Sequence, residues 1–387
     1  MISVDCFLMK KFVFVAPEFH SIPPNYAAAV EWWIYNVAKI SQANNLIICK
    51  GEKTEKTVEK ISDYATIHRI YISAIYKRFF RKWSRLDPYP YAKRVVDTVS
   101  CSQNQPHDKP ILIIQNSVSL YNEIKQYYPE EQMVLHLHNK HNVATLGAGT
   151  KLITPSHFLA NFFRNEAKLE NIKVVPNGID KMLYMQQSCW KRERFGLKNT
   201  AKVILYAGRL DERKGVLELM EAVSLLHKKD TQITLLLIGE YTKSTKGERE
   251  VYRKKVVDKA LEMTGCCVLA GNIPPANMHQ VYSLADLTVV PSLWEEPFCM
   301  VALESMARGT PVLASPRGGI KEFVVPNNTG FLLQEPLSPE SIAQDILDTL
   351  SDSRLHDITE KGKEMALTNY DWHTVNESLT TVLSEWF

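Results

Sequence analysis

The chain lacks any apolar run of the roughly 18 residues that a membrane-spanning helix needs. Phe12–Pro17 is too short for a signal-peptide core and is followed by Glu18 and His20, so it reads as a first strand. The G-x-x-x-x-G-K-[ST] pattern is absent, which excludes a Walker phosphate loop. Seven cysteines are scattered without metal-ligand spacing, and Cys266-Cys267 is an adjacent pair rather than C-x-x-C. An odd, unpatterned set fits a reducing cytoplasm better than a disulfide scaffold. Net charge is only +3, which gives no ground for a nucleic-acid partner. Low-complexity tracts and short-period repeats are missing as well.

What is present is ordinary for a soluble globular protein: 387 residues, 45% hydrophobic and 23% charged, enough for about two domains. Short β-branched runs alternate with helical patterns along the whole length. In the first half these are Phe12–Pro17, Leu46–Lys50, Ile67–Ile72, Ile111–Gln115, Met133–His138 and Leu152–Pro155. In the second half they are Val203–Gly208, Ile233–Gly239, Cys267–Gly271, Leu287–Pro291, Pro311–Ala314 and Gly330–Leu333. Runs this apolar are buried on both faces, as in parallel sheets under helical crossovers. The pattern occurs twice, so the expected class is α/β with two Rossmann-like doubly wound domains. Turn chemistry at Pro176-Asn177-Gly178 puts the boundary there. The expected division is 1–175, then 176–367, with 368–387 as a C-terminal helix packing back on the first domain.

Glu296 and Glu304 frame a segment that follows the strand Leu287–Ser292, with Pro297 suited to a first helical turn. The spacing predicts one acid before a helix N-terminus and the other about two turns inside it. Two acids that merely complement the helix dipole are the plain alternative. Glu304 argues against that alternative, because it lies in an otherwise apolar helix where a carboxylate is costly without a polar partner. A second constellation runs from Gly208-Arg209 to Lys214-Gly215, where a strand leads through a glycine turn and cations into a helix. This suits a diphosphate, although a solvated charged loop is the other reading.

In the first half, His136 and His138 lie near a strand end and share a face, so one or both are expected to face a cleft. A structural, hydrogen-bonded histidine or half a metal pair remain open readings, and a metal would need further ligands beyond His141. Tyr76–Arg85 mixes cations with aromatics, and Lys93 and Arg94 follow. That composition suits a core helix, an acidic saccharide or an anionic membrane surface met by Lys77–Arg85.

Taken in order, Pro176-Asn-Gly-Ile-Asp180, Gly208-Arg-Leu…Lys214-Gly215, Gly271-Asn272, the Glu296–Glu304 spacing and Gly318-Gly319…Glu322 resemble glycosyltransferase family 4. These are retaining enzymes of the GT-B fold (glycosyl transferases group 1), whose two Rossmann-like domains flank an interdomain cleft. The resemblance spans essentially the whole chain and is most specific from Pro176 to about Gly330. It implies that Arg209 and Lys214 hold the donor diphosphate and that Gly208 forms the turn beside it. It also implies that Glu304 bonds the ribose and that Glu296 bonds the donor sugar, with backbone N–H groups around Phe298, Cys299 and Met300. The backbone near Asn272 and Ile273 would read the base. Asn25 and Tyr26, in the loop Ser21–Glu31 where alanines replace the family's glycines, would lie by the donor phosphates and acceptor. His138 would stand beside the reacting carbon, making the implied catalytic set His138, Arg209, Lys214 and Glu296. No metal and no cofactor are expected, in keeping with the absence of D-x-D; the donor, a UDP-hexose, is a substrate. Cys299 departs from the family, where glycine is common, and its side chain would narrow the sugar subsite.

The implied activity is metal-independent, retaining hexosyl transfer from a nucleotide sugar to a saccharide or glycolipid acceptor, in lipopolysaccharide, capsule or other envelope glycan synthesis. The expected place is the cytoplasm or the inner face of the cytoplasmic membrane. A GT-B epimerase or hydrolase, and a non-catalytic partner subunit, stay open at this stage. The latter would be expected to have lost Arg209, Lys214, Glu296 or Glu304, all of which stand.

Overall fold

Along Lys11–Val15 (β1) every side chain is buried, and alternate residues go to opposite layers. Phe12 and Phe14 join one hydrophobic core, while Val13 and Val15 join the other. This is the period-two signature of a strand covered on both faces. The computed structural model describes residues 10–24, 28–76, 78, 90–102, 109–240 and 247–387. Asn25 and Tyr26 lie outside the described residues, as do Lys77 and residues 79–89 of the basic-aromatic segment.

The chain forms two compact units, Met1–Gly178 with Trp372–Phe387, and Ile179–Asp371. In the first unit β1 is followed by Asn44–Lys50 (β2), Val58–Lys60 (β3), Ala65–Ile70 (β4), Ile111–Gln115 (β5), Met133–His136 (β6), Leu152–Thr154 (β7) and Ile172–Val174 (β8). Their order is β3-β4-β2-β1-β5-β6-β7-β8. The pairings are parallel except β3, a polar three-residue strand running antiparallel at the edge. Hydrophobic patterning gave no sign of β3, because Val58-Glu59-Lys60 has no buried residue. The covering helices are Ala29–Ile40 (α1), Pro90–Cys101 (α2), Val118–Ile124 (α3) and His157–Ala167 (α4). Strand order reverses at the β1/β5 pair, where doubly wound sheets open a ligand crevice beyond the strand ends.

The second unit starts with the short helix Lys181–Met185 (α5). It continues through Lys202–Ala207 (β9), Val216–Lys229 (α6), Ile233–Ile238 (β10), Glu248–Glu262 (α7), Cys267–Gly271 (β11) and Met278–Tyr282 (α8). Leu287–Val290 (β12), Met300–Arg308 (α9), Val312–Ala314 (β13), Phe331–Leu332 (β14), Pro339–Ser351 (α10) and Leu355–Asn369 (α11) complete it. The strand order is β11-β10-β9-β12-β13-β14, all parallel. This sheet therefore reverses between β9 and β12, the two strands whose following loops carry Lys214 and Glu296.

The last helix, Trp372–Trp386 (α12), sends Trp372, Val375, Leu379, Val382 and Leu383 into the core of the first unit beside Trp33 and Ile34. Gly178 allows the return, since a Cβ there would sit 2.5 Å from the Trp372 ring. Among the described residues no helix is long and apolar enough to cross a membrane. Leu379→Ala should cost about 2–5 kcal/mol by leaving a cavity under this helix, read as a lowered midpoint in chemical denaturation.

Candidate functional site

The loop after β9 is held by side-chain bonds of its own residues and of Tyr206. Tyr206 donates its hydroxyl to the Arg209 carbonyl at 2.8 Å. Asp211 accepts from the Arg213 backbone N–H at 3.2 Å and from Arg213 Nε at 3.0 Å. The Arg213 guanidinium holds the Asp211 carboxyl down to about 2. Gly215 then turns the chain into α6 with φ of +66°, and a Cβ there would lie 2.0 Å from the Pro291 carbonyl oxygen. Only glycine permits that approach. The Leu293 N–H donates to the Arg213 carbonyl at 2.8 Å, fastening the loops after β9 and β12 together.

This juxtaposition brings Lys214 to Glu296. Lys214 Nζ is 2.5 Å from Glu296 Oε1, and Ser292 Oγ donates to the same oxygen at 2.5 Å. Glu296 is only 4% exposed. Its carbonyl accepts from the Gly319 N–H at 2.8 Å, and Gly318 (φ +59°) passes so close that a Cβ would stand 2.1 Å from it. Arg213 and Lys214 both lie over the Trp294 ring, 4.9 and 5.2 Å from its centroid, which orients the cations without neutralising them. Arg209 is exposed on the same loop.

Pro297 does not open a helix. Phe298 is drawn into an aromatic cluster with Phe323 and Tyr370, at ring centroids 5.2 and 5.8 Å away. The chain turns at Cys299 with φ of +89°, and α9 begins at Met300. Glu304 is therefore just over one turn into the helix rather than two. Cys299 occupies a left-handed conformation that favours glycine, so the departure from the family pattern falls where backbone strain is expected. Burial pushes its thiol up to about 12, so it is not a thiolate nucleophile.

Glu304 has the polar company its position demanded. The Tyr282 hydroxyl donates to Oε2 at 2.8 Å, and the Tyr184 phenol beside the same carboxylate favours its ionised form. Burial nonetheless raises the Glu304 carboxyl to about 7. Asn272 and Ile273 follow β11, the first exposed and the second packed against the core.

In the first unit, β6 ends at His136 rather than His138. His136 is fully buried, its ring 4.4 Å from Trp33 and 4.0 Å from His138, so it does not face a cleft. His138 lies just beyond the strand. Its Nε2 bonds Gln115 Oε1 at 3.2 Å, and its backbone N–H donates to Asn116 Oδ1 at 3.1 Å. Asn116 sits at the end of β5 with φ of +50° and also accepts from His141 Nε2 at 2.9 Å. Burial lowers the His138 imidazole to about 3, leaving it neutral at physiological pH. Among the described residues no cluster of three or more His, Cys, Asp or Glu side chains is arranged to hold a metal ion.

Ser292, Trp294, Arg213, Tyr184, Tyr282, Gln115 and Asn116 were not anticipated from the sequence. Ser292 and Trp294 lie within the Glu296 segment and were within reach of a local reading. The tyrosines and Gln115 are remote from the acids and histidine they touch.

Glu304 makes stability depend on pH. Its folded carboxyl titrates near 7 and its unfolded reference is 4.5, so the folded state binds more protons between those values. This group's contribution to stability is therefore lost as pH rises from about 5 to about 7. Glu304→Gln, which keeps an acceptor for Tyr282, should gain about 1–3 kcal/mol over the parent near pH 8 and little near pH 5, measured by urea unfolding at both pH values.

The family model described as glycosyl transferases group 1 matches residues 190–365. The chain is 39% identical over 381 residues to lipopolysaccharide 1,2-N-acetylglucosaminetransferase of Salmonella typhimurium, covering 98% of this chain and 100% of that one. Spore coat protein SA of Bacillus subtilis is 22% identical over 397 residues, covering 96% and 98%. Among solved structures, sucrose-phosphate synthase from Thermosynechococcus elongatus superposes with a TM-score of 0.78 at 19% identity over 97% of this chain and 99% of that one. Anabaena HepE in complex with UDP and glucose gives 0.72 at 19% identity over 96% and 99%. The solved structures share the fold, the GT-B type expected from the sequence. The chain belongs to the glycosyl transferases group 1 family.

Proposed function

We propose that the protein moves a hexose, N-acetylglucosamine in the first instance, from a UDP-sugar to a saccharide of growing lipopolysaccharide, with retention at the anomeric carbon and without a metal. The observation that carries this reading is the 39% identity, over 98% of this chain, to a protein named lipopolysaccharide 1,2-N-acetylglucosaminetransferase. The side chains supply a mechanism in keeping with it. The bond from the sugar C1 to the β-phosphate oxygen breaks while the acceptor hydroxyl oxygen bonds C1 on the same face. The hydroxyl proton passes to the departing diphosphate oxygen. Arg209 and Lys214 offset the charge that develops on that oxygen, a role metal ions fill elsewhere. Glu296, held by Lys214 and Ser292, bonds the sugar hydroxyls rather than acting as a nucleophile. Glu304 accepts from the ribose, and the backbone at Asn272 and Ile273 meets the base. Neutral His138 can exchange hydrogen bonds with a sugar hydroxyl but cannot supply a proton as an imidazolium, and we assign the acceptor to its unit.

Purified protein given UDP-N-acetylglucosamine and a truncated lipopolysaccharide should release UDP only when the acceptor is present, unaffected by a chelator, and yield a product of retained configuration by NMR. UDP release without acceptor would instead mark a hydrolase. Lys214→Ala should lower kcat about 100- to 1,000-fold, the size expected for removing one transition-state charge partner, with a cooperative melt retained. Near-parental turnover in that variant removes the assignment.

We also infer that the basic-aromatic stretch Tyr76–Arg85 meets an anionic membrane surface from the cytoplasmic side, as its composition allows. Co-sedimentation with anionic liposomes should fall when Lys77, Arg78, Arg81 and Lys82 are neutralised, and unchanged sedimentation removes this reading.

A further inference from the structure

A carboxylate on an apolar helix must be met by donors, and where those donors come from sets which of its lone pairs remain for a ligand. Glu304 on α9 is met by two phenols from two other helices. Tyr282, at the end of α8, is fully buried and donates to Oε2 at 2.8 Å. Tyr184, on α5, is 5% exposed and stands beside the same carboxylate. The two rings stand 6.5 Å apart. Both helices are fastened to the far end of α9. Arg308 donates to the Tyr184 carbonyl at 3.0 Å and to the Gln186 carbonyl at 2.8 Å. Thr310 Oγ1, just past α9, donates to the Tyr282 carbonyl at 2.7 Å. The backbone positions of both tyrosines are thus tied to the helix that carries the acid.

We propose that Tyr184 and Tyr282 are positioning residues for donor recognition: Tyr282 donates to one oxygen of the Glu304 carboxylate, Tyr184 stands beside it, and the lone pairs left over meet the vicinal diol of a ribonucleoside diphosphate. An ionised carboxylate has about four acceptor sites, so the Tyr282 bond leaves enough of them for a 2′,3′-diol. This rests on the reading of Glu304 as the ribose-binding acid. The phenol hydrogen bonds also favour the ionised form, opposing the burial that raises the carboxyl to about 7. The titratable and charged groups around it are few. Tyr184 comes from α5 with Asp180 at that helix's N-cap, and Tyr282 and His279 come from α8. Arg308 lies on α9 itself and Cys299 at its N-cap. Beneath the helix β12 presents Thr288 to Ser305, and α11 meets it at Gly362 against Met306, with Lys363 at Gly309.

The test is binding of UDP and of 2′-deoxy-UDP by the full chain, across pH, for the parent, Tyr184→Phe, Tyr282→Phe and Glu304→Gln. Each Phe variant keeps its ring in the core, and a melt confirms the fold. UDP affinity should fall about tenfold in each Phe variant, as for loss of a hydrogen bond to a charged group. Affinity for 2′-deoxy-UDP should barely change, so the preference for ribose shrinks. The midpoint below which UDP binding weakens should move up by about one pH unit, because the carboxyl then keeps its proton to higher pH. If the Phe variants keep the parental ribose preference and pH midpoint while Glu304→Gln loses the preference, the positioning role is wrong and the ribose reading stands. If Glu304→Gln itself keeps the preference, the ribose reading falls.

Discussion

The approach of two backbones at the strand-order reversal of the second sheet governs the rest of the candidate site. Gly215 passes so near the Pro291 carbonyl that no side chain fits between them. That contact clamps the loop after β9 to the loop after β12. Without it Lys214 would remain one of many solvated lysines and Glu296 a buried, uncompensated charge. With it the two meet at 2.5 Å, Ser292 completes the shell, and Trp294 lies under both cations of the loop. A second glycine contact, Gly318 on the Glu296 carbonyl, fixes the acid from the other side.

Such an arrangement is poorly explained as a stability device. Taking a lysine and a carboxylate largely out of water costs about as much as their attraction returns, and apolar side chains would fill the space at less expense. Glu304 is a plainer case of the same tension, since burial holds its carboxyl near 7 even with phenol donors beside it. Cys299 adds backbone strain within the same segment. Desolvated charges and an unfavourable φ concentrated in one short stretch are features that cluster at functional sites. In the first unit the polar burden is of another kind. His136 and His138 are kept neutral by burial, and Gln115 and Asn116 at the end of β5 hold His138 in place.

Much of the fold was legible because the central strands are buried on both faces and leave unbroken apolar runs of the right length. Boundaries moved by one or two residues, as at β6, which stops at His136. The strand β3 was invisible for the opposite reason: an edge strand with no buried residue carries no hydrophobic signal. The helix after Glu296 was placed too early because Pro297 is a good local start signal. The competing force was tertiary, the burial of Phe298 against Phe323 and Tyr370, which spends the residues after the proline on a turn.

From the sequence alone came the two parallel α/β units, the order of the motifs and the acids and cations at the strand ends, because these depend on local periodicity and on turn chemistry within a few residues. The tertiary structure alone decided which of those charges meet. It paired Lys214 with Glu296 through a glycine contact, and it placed Tyr184 and Tyr282 around Glu304 from helices with no local sequence relation to it. It also ended the strand at His136 and buried both His136 and His138. Partnership between distant side chains is set by how strands stack and where glycine lets backbones touch, and one-dimensional spacing holds no record of either.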